Sequence, residues 1–194
     1  METNWVMQSV KSLYQKNRLY YQKRLSLVLE RLNWKNKRIL DLGCGEMLLK
    51  NFIQGDEIVD YLGVDNIPYQ HTPDFICMDV IQFLSEYKMD NELIFCLGLI
   101  DHLEVEAQNR LIELLSLKTF YRIIISKSNE NNILFKNLNI GREINLPNCF
   151  VIIEKMYLLK IPFTSKIILL KYFGDIFATE IIYYLAKKLS LNDV

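Results

Sequence analysis

The sequence lacks several features that would place it in other structural classes. Its four cysteines show no paired spacing and no neighbouring histidine cluster, so we expect neither a disulfide framework nor a zinc site. No group of carboxylates or histidines has the spacing of metal ligands. No apolar run approaches the length that crosses a bilayer, and the first residues lack the basic-then-apolar order of a signal peptide. We therefore expect a cytoplasmic protein that holds no metal.

The chain as a whole has no excess of charge of either sign, but individual segments do. Equal numbers of basic and acidic residues give a formal net charge of zero, which disfavours a nucleic-acid partner. Residues 1–40 nevertheless carry nine Lys/Arg and two Asp/Glu, whereas residues 41–113 carry three and fifteen. The N-terminal segment is thus basic, and the segment after it is acidic.

The apolar pattern predicts strands that alternate with helices in a chain without repeats, low-complexity tracts or linkers. Strands are predicted at 38–42, 58–64, 74–77, 92–97, 120–126, 150–160 and 180–186. Helices are predicted within 3–33 and at 46–52, 80–84, 104–117 and 164–175. This order indicates an α/β fold with a mostly parallel sheet and a late hairpin-like pair at one edge. We expect one compact unit, in which residues 1–34 form a helical cap and residues 35–194 form the main domain.

Two strand ends carry the most informative chemistry. RILDLGCG at 38–45 is an apolar strand that runs into a glycine turn, with Asp41 near its end. YLGVD at 61–65 is a second apolar strand, closed by Asp65. Glycines allow backbone N–H groups to approach a ligand closely, and a strand-end acid can accept hydrogen bonds from a ribose diol. The pair therefore predicts a nucleoside site.

These segments resemble the motifs of the class I S-adenosylmethionine (SAM) dependent methyltransferases, of the small-molecule type. ILDLGCG resembles the first motif of that family, YLGVD the second, CMDVIQFL the third, and ELIFCLGLIDHLE the fourth strand with its following loop. The resemblance implies a doubly wound, mostly parallel seven-stranded sheet of the Rossmann-like methyltransferase type, with an antiparallel last strand. It also implies SAM as the cofactor. The chain departs from the pattern at Met47, where many members have a third glycine.

The resemblance also implies roles for individual residues. Asp41, Gly43 and Gly45, with Cys44 between the glycines, would hold the methionine end and the adenosine side of the cofactor. Asp65 would bind the ribose hydroxyls. The remaining implied contacts are Asn66 and Ile67 beside the adenine, Asp79 at its amino group, Val80 with a backbone N–H to the ring, and Leu97 and Gly98 near the reactive methyl.

His102, just after the fourth strand, is the candidate catalytic residue. An imidazole can accept a hydroxyl proton near neutral pH, and ligands bind at the carboxyl ends of strands in such sheets. The alternative is a loop residue that packs the cofactor wall.

The N-terminal segment would lie over the pocket in this family, and its side chains here are basic and aromatic. It is interpreted either as a lid that selects an anionic or aromatic acceptor or as an amphipathic helix with solvated charges. The lid candidates are Tyr14, Arg18, Tyr20 and Tyr21. No Asx-Pro-Pro-aromatic segment follows strand four, which disfavours amide and base amino groups as acceptors. An oxygen, nitrogen or carbon atom of a small molecule is the expected acceptor.

Other interpretations of the sequence stay open. A nicotinamide-dependent enzyme would need a glycine where the chain has Leu48. A catalytically silent SAM-binding subunit of a partner enzyme would carry the same motifs. The apolar helix predicted at 164–175 fits a second pocket wall, a peripheral membrane contact, a core element or a dimer face. The chain is accordingly expected to be a monomer or a homodimer.

Overall fold

A computed structural model describes residues 18–53, 60–69, 72–129, 144–160, 167–170 and 178–188. Helix α1 covers 18–29 of the first range. The other elements follow in the order β1 (Ile39–Leu42), α2 (Leu48–Ile53), β2 (Tyr61–Asp65), β3 (Phe75–Cys77), α3 (Val80–Glu86), β4 (Glu92–Cys96), a 3₁₀ turn (Ile100–His102), α4 (Val105–Leu117), β5 (Phe120–Ser128), β6 (Phe150–Lys160), β7 (Ile167–Leu170) and β8 (Glu180–Lys187).

The strands form one twisted sheet in the order β3-β2-β1-β4-β5-β8-β6-β7. β1 to β5 pair in parallel, and β8 lies antiparallel between β5 and β6. The predicted α/β sheet, doubly wound and with an antiparallel last strand, is confirmed. Its described part has eight strands, one more than the seven predicted.

The additional strand is β7, where the sequence predicted a helix. Residues Ile167–Leu170 pair antiparallel with the end of β6, so the helix predicted at 164–175 is wrong over these four residues. The rest of that range lies outside the described residues. Four consecutive apolar residues fit a buried strand and a buried helix equally well, so periodicity alone could not separate them. Over these residues there is thus no apolar helix to wall a pocket or rest on a membrane.

Each face of the sheet is covered by its own hydrophobic core. Leu93 and Phe95 of β4 belong to one cluster with the apolar side chains of α1 and α2. Ile94 and Cys96, which alternate with them, belong to a second cluster with α3 and α4. Because successive strand residues point to opposite faces, the unbroken apolar run of β4 is explained by helices on both sides.

Within the described part of the chain, no helix has both the length and the apolar character that crossing a bilayer requires.

Candidate functional site

A cavity of about 480 Å³ opens at the carboxyl ends of the parallel strands. Its volume lies in the range of small-molecule sites, and its position is where ligands bind in open α/β sheets. The cavity is lined by Tyr21, Arg24, Gly43, Gly45, Asp65, Asn66, Ile67, Tyr69, Asp79, Val80, Leu97, Gly98, Leu99, His102 and Leu103.

The structure brings most of the sequence-predicted residues to this one cavity. Those that border it are Gly43, Gly45, Asp65, Asn66, Ile67, Asp79, Val80, Leu97, Gly98 and His102. Asp41 and Cys44 line a smaller recess of about 30 Å³ instead. The recess shares residues of α1 and of the glycine turn with the main cavity, so the two spaces are adjacent.

The four lid candidates differ in where they lie. Tyr21 on α1 borders the cavity. Arg18 is exposed, and Tyr20 is buried, and neither borders it. Tyr14 lies outside the described residues.

The turn after β1 depends on backbone conformations that favour glycine. Gly43 has a φ of 70° and Gly45 a φ of 53°. A Cβ at Gly43 would lie 3.0 Å from a side-chain carbon of Leu99, so the absence of a side chain is also needed for space. Met47 has a φ of 56°, which is uncommon for a residue other than glycine, and its side chain is 1% exposed. The turn is thus kept where the third glycine is missing, and the methionine side chain is packed in the core.

Asp65 at the end of β2 holds this turn through both carboxylate oxygens. Oδ2 accepts a hydrogen bond of 2.9 Å from the Gly45 N–H, and Oδ1 accepts one of 2.9 Å from the Ile67 N–H. One acid therefore ties the glycine turn to the loop after β2.

Asp79 follows β3 and caps helix α3. Its Oδ1 accepts hydrogen bonds from the N–H groups of Ile81 at 2.8 Å and Gln82 at 3.1 Å. This satisfies two of the N–H groups that a helix start leaves unpaired. The cap also fixes the carboxylate at the edge of the cavity.

Asp41 is buried beneath the turn, in the adjacent recess. The Tyr61 hydroxyl donates a 2.7 Å hydrogen bond to its Oδ2. Burial raises the pKa of Asp41 to about 7, against the opposing effects of the Tyr61 hydrogen bond and the charge of Arg24. Burial also raises the pKa of the Cys44 thiol, so this cysteine is a small packed side chain rather than a nucleophile.

His102 ends the 3₁₀ turn after β4, and its exposed side chain borders the cavity. The adjacent Asp101 accepts hydrogen bonds from the N–H of Ser128 at 2.8 Å and from its hydroxyl at 2.9 Å. Burial raises the pKa of Asp101, whereas these hydrogen bonds oppose the rise. The loop that carries the imidazole is therefore tied to the end of β5.

The sequence suggested no site role for Tyr69, Leu99 and Leu103, and it placed Arg24 only among the basic and aromatic side chains of the N-terminal segment over the pocket; all four border the cavity. The sequence did not predict the 2.7 Å ion pair that Arg24 forms with Glu180. The spacing of Arg24 by three and four residues from Tyr21 and Tyr20 was a visible signal, because such residues are neighbours on a helix. The partner carboxylate lies 156 positions away, where no local pattern points to it.

Among the described residues, no three His, Cys, Asp or Glu side chains are grouped so that they could hold a metal ion.

Comparison with known proteins finds similarity in structure but not in sequence. No protein-family model matches the chain, and no curated protein matches it. A SAM-dependent methyltransferase from Archaeoglobus fulgidus superposes with a TM-score of 0.61 at 17% identity, over 92% of this chain and 99% of that one. A magnesium protoporphyrin IX methyltransferase from Synechocystis PCC 6803, solved with bound SAH, gives 0.59 at 16% identity, over 91% and 87%. An rRNA methylase from Escherichia coli gives 0.51 at 21% identity, over 84% and 62%.

Two of these neighbours are named for different acceptors, magnesium protoporphyrin IX and rRNA, but all three share one arrangement of strands and helices with this chain. The chain has the fold of the class I SAM-dependent methyltransferases.

Proposed function

We propose that this protein binds SAM and transfers its methyl group to an oxygen, nitrogen or carbon atom of a small molecule. The observation that carries the proposal is the position of Asp65 and Asp79. These strand-end acids border one cavity together with the glycine turn that follows β1. Two carboxylates beside a glycine turn, which allows the backbone to approach a ligand closely, suit a nucleoside that carries positive charge.

Each part of the cavity suits one part of this ligand. The edge formed by Asp65 and Ile67 suits the ribose and one face of the adenine. Asp79 suits the adenine amino group, because its Oδ1 already faces α3 and leaves a second carboxylate oxygen as an acceptor. The recess lined by Asp41 suits the amino group of the methionine end, since it adjoins Gly43.

The chain would contribute positioning more than covalent chemistry. When bound, SAM would supply an electrophilic methyl group, which the acceptor would attack in line with the S–CH3 bond as that bond breaks and S-adenosylhomocysteine leaves. Leu97 and Leu99 exclude water from the wall beside Gly98, which favours such a displacement. His102 borders the cavity, and in this proposal its imidazole takes the proton that an acceptor hydroxyl loses.

The first test is calorimetric titration with SAM and with its demethylated product S-adenosylhomocysteine, using NAD as the control ligand. Micromolar binding of the first two and none of NAD is the expected result. Leu97→Trp should abolish binding by filling the cavity, whereas Leu117→Trp, at a position 70% exposed on α4, should leave it unchanged. If neither adenosyl ligand binds the unmodified protein, the proposal is wrong.

Turnover separates the enzyme from a silent SAM-binding subunit. Slow hydrolysis of SAM, or methylation within a panel of small hydroxyl, amine and carbon acids, is expected of the enzyme. His102→Gln should reduce the turnover of a hydroxyl acceptor by about 10² to 10⁴-fold while SAM affinity stays within about twofold, because general bases contribute on this scale. Unchanged turnover in that variant would remove His102 from the mechanism. Binding without any turnover would favour the silent subunit.

A further inference from the structure

A buried ion pair joins α1 to β8 beside the cavity. Nη1 of Arg24 lies 2.7 Å from Oε1 of Glu180, and the two side chains are only 8% and 11% exposed. The Tyr20 hydroxyl donates to the other carboxylate oxygen of Glu180. Glu180 thus receives a charged and a neutral donor from the same helix, and α1 is held against the start of β8.

This arrangement leaves one hydrogen-bond donor of Arg24 without an acceptor. Its Nε is buried and has no hydrogen-bond partner among the described residues. A buried N–H of a charged group that lacks an acceptor is costly, and native structures rarely leave one without a functional reason. Burial acts to lower the pKa of Arg24, but Glu180 together with Tyr20 and Tyr21 outweighs it and raises the pKa, so the guanidinium remains charged.

The guanidinium lies where a ligand in the cavity would meet it. Arg24 borders both the main cavity and the recess beside Asp41. Its Nη1 lies 3.9 Å from where a Cβ would stand at Gly98, which has a φ of 82° and leaves this wall open. The Tyr21 ring centroid is 5.1 Å from the Arg24 Cζ and helps to fix the plane of the group. A planar fork held in this way is organised in advance for a carboxylate.

The other charged groups that line these spaces are acidic, so they favour Arg24 as the place where an anionic group of a ligand would bind. Asp65 and Asp79 border the main cavity, and Asp41 borders the recess, so acids surround the space on the strand side. Among the residues that line the cavity and the recess, Arg24 is the one Lys or Arg side chain, and it borders both spaces. An anionic group of a ligand would therefore be placed against Arg24 and away from the strand ends.

We propose that Arg24 binds a carboxylate of a ligand in this cavity, and that Glu180 is a positioning residue that orients the guanidinium from its far side. The inference rests on the proposed function and deepens it. Two molecules could supply the carboxylate: SAM, at its amino-acid end, and the methyl acceptor. The chemistry is the same in both cases, and the experiment distinguishes them.

The test compares S-adenosylhomocysteine with 5′-methylthioadenosine, which keeps the nucleoside and the sulfur but lacks the carboxylate. If the cofactor supplies the carboxylate, Arg24→Met should weaken S-adenosylhomocysteine binding by about 10- to 100-fold, the range for a lost charge-assisted hydrogen bond. Binding of 5′-methylthioadenosine should change by less than about twofold, since it never used that bond. Arg110→Met, which removes an exposed arginine of α4, is the matched control and should affect neither ligand.

If the acceptor supplies the carboxylate, both adenosyl ligands should bind Arg24→Met normally. Benzoate should then bind the protein saturated with S-adenosylhomocysteine, whereas uncharged benzamide should not, and Arg24→Met should abolish the binding of benzoate. Ligand NMR at millimolar concentrations can observe this weak binding. Either pattern supports the proposal and names the source.

Arg24→Met leaves Glu180 buried without its cation, so this variant can fail to fold. Arg24→Lys keeps the charge but removes the planar fork, and Glu180→Gln keeps one acceptor oxygen for Arg24. Both variants should weaken the binding of the ligand that carries the carboxylate more than the binding of its uncharged counterpart. Glu180→Gln should give the smaller loss of affinity. Equal losses for both ligands in these variants would mean that Arg24 is purely structural, and the inference would fall. Absence of adenosyl binding by the unmodified protein would instead overturn the proposed function.

Discussion

A carboxylate beside a cavity can shape the site as well as contact a ligand, and Asp65 shapes the site through both oxygens. The N–H groups of Gly45 and Ile67 already occupy them. Replacing Asp65 by alanine would therefore disturb the glycine turn together with any ribose contact. Asp79 is different, because its structural task is a helix cap that asparagine performs about as well. At this position the ligand contact can be separated from the structural one.

We expect Asp79→Asn to lower the affinity for S-adenosylhomocysteine about tenfold, since the amide offers the adenine amino group one acceptor fewer. Its free energy of unfolding should change by less than about 0.5 kcal/mol, because the cap is retained. Asp79→Ala should lose a similar affinity and also about 1 kcal/mol of stability. Calorimetry and urea denaturation measure the two effects. Equal affinity in Asp79→Asn and the unmodified protein would exclude the adenine contact.

Asp41 gives a pH dependence that can be assigned to one residue. Its folded-state pKa of about 7 lies above the ordinary value because the side chain is buried. The folded protein therefore binds more protons than the unfolded chain between about pH 4 and pH 7, and Asp41 makes stability fall as pH rises through that window. Asp41→Asn removes this proton and keeps an oxygen that accepts from Tyr61.

The free energy of unfolding of Asp41→Asn, relative to the unmodified protein, should therefore rise by about 1 to 3 kcal/mol between pH 5 and pH 8. Urea denaturation at the two pH values measures this change. Asp90→Asn, at an exposed position, should show no such change. A difference for Asp41→Asn that is constant with pH would mean that Asp41 is ionised throughout the range.

The sequence could predict site residues whose chemistry follows from their place in a motif. Gly43, Gly45 and Asp65 stand at strand ends, and strand ends of a parallel sheet meet at one edge. The pairing of Arg24 with Glu180, which makes Arg24 a buried site residue, could not be predicted in this way, because Glu180 lies on a distant strand. The buried surroundings of Asp41 could not be predicted for a similar reason, since the Tyr61 hydroxyl that donates to Asp41 comes from the neighbouring strand.

Among the secondary-structure elements, β1 to β5 and their helices could be predicted because short apolar runs alternate there with segments of helical periodicity. β7 could not, because its four apolar residues become a strand only through pairing with β6. The internal position of β8 in the sheet could not be predicted from local patterns either. It lies between β5 and β6, so strands that are distant in sequence enclose it. Buried side chains of a strand enclosed in this way should contribute more to the free energy of unfolding than exposed side chains of the neighbouring strand β6.

Two isoleucines on adjacent strands test this difference. Ile182 of β8 is fully buried, whereas Ile153 of β6 is 49% exposed at an irregularity in the pairing with β8. Ile182→Ala should lower the free energy of unfolding by about 2 to 5 kcal/mol, because it leaves a cavity in the core. Ile153→Ala should cost less than about 0.5 kcal/mol. If urea denaturation shows comparable losses of unfolding free energy for the two variants, β8 does not form the core of the antiparallel half of the sheet.

For the molecule as a whole, the cavity combines parts from both ends of the described chain. Tyr21 and Arg24 come from α1, the strand-end acids come from the middle, and Glu180 of β8 holds Arg24. α1 also packs its apolar side chains into the same core as β8. We therefore propose that the cap of residues 1–34 and the domain of residues 35–194 unfold together as one compact unit.

Trp34 can report on this coupling, because it follows α1 and packs against the core that α1 shares with β8. In a Trp5→Phe background it is the single tryptophan of the chain. Its fluorescence and the circular dichroism of the whole protein should then show one coincident unfolding transition, as a cooperative unit requires. S-adenosylhomocysteine at 100 times its dissociation constant should add about 2.7 kcal/mol to the free energy of unfolding seen by both signals. A fluorescence transition that precedes the other, or that the ligand leaves in place, would mean that the cap unfolds independently and forms no part of the binding unit.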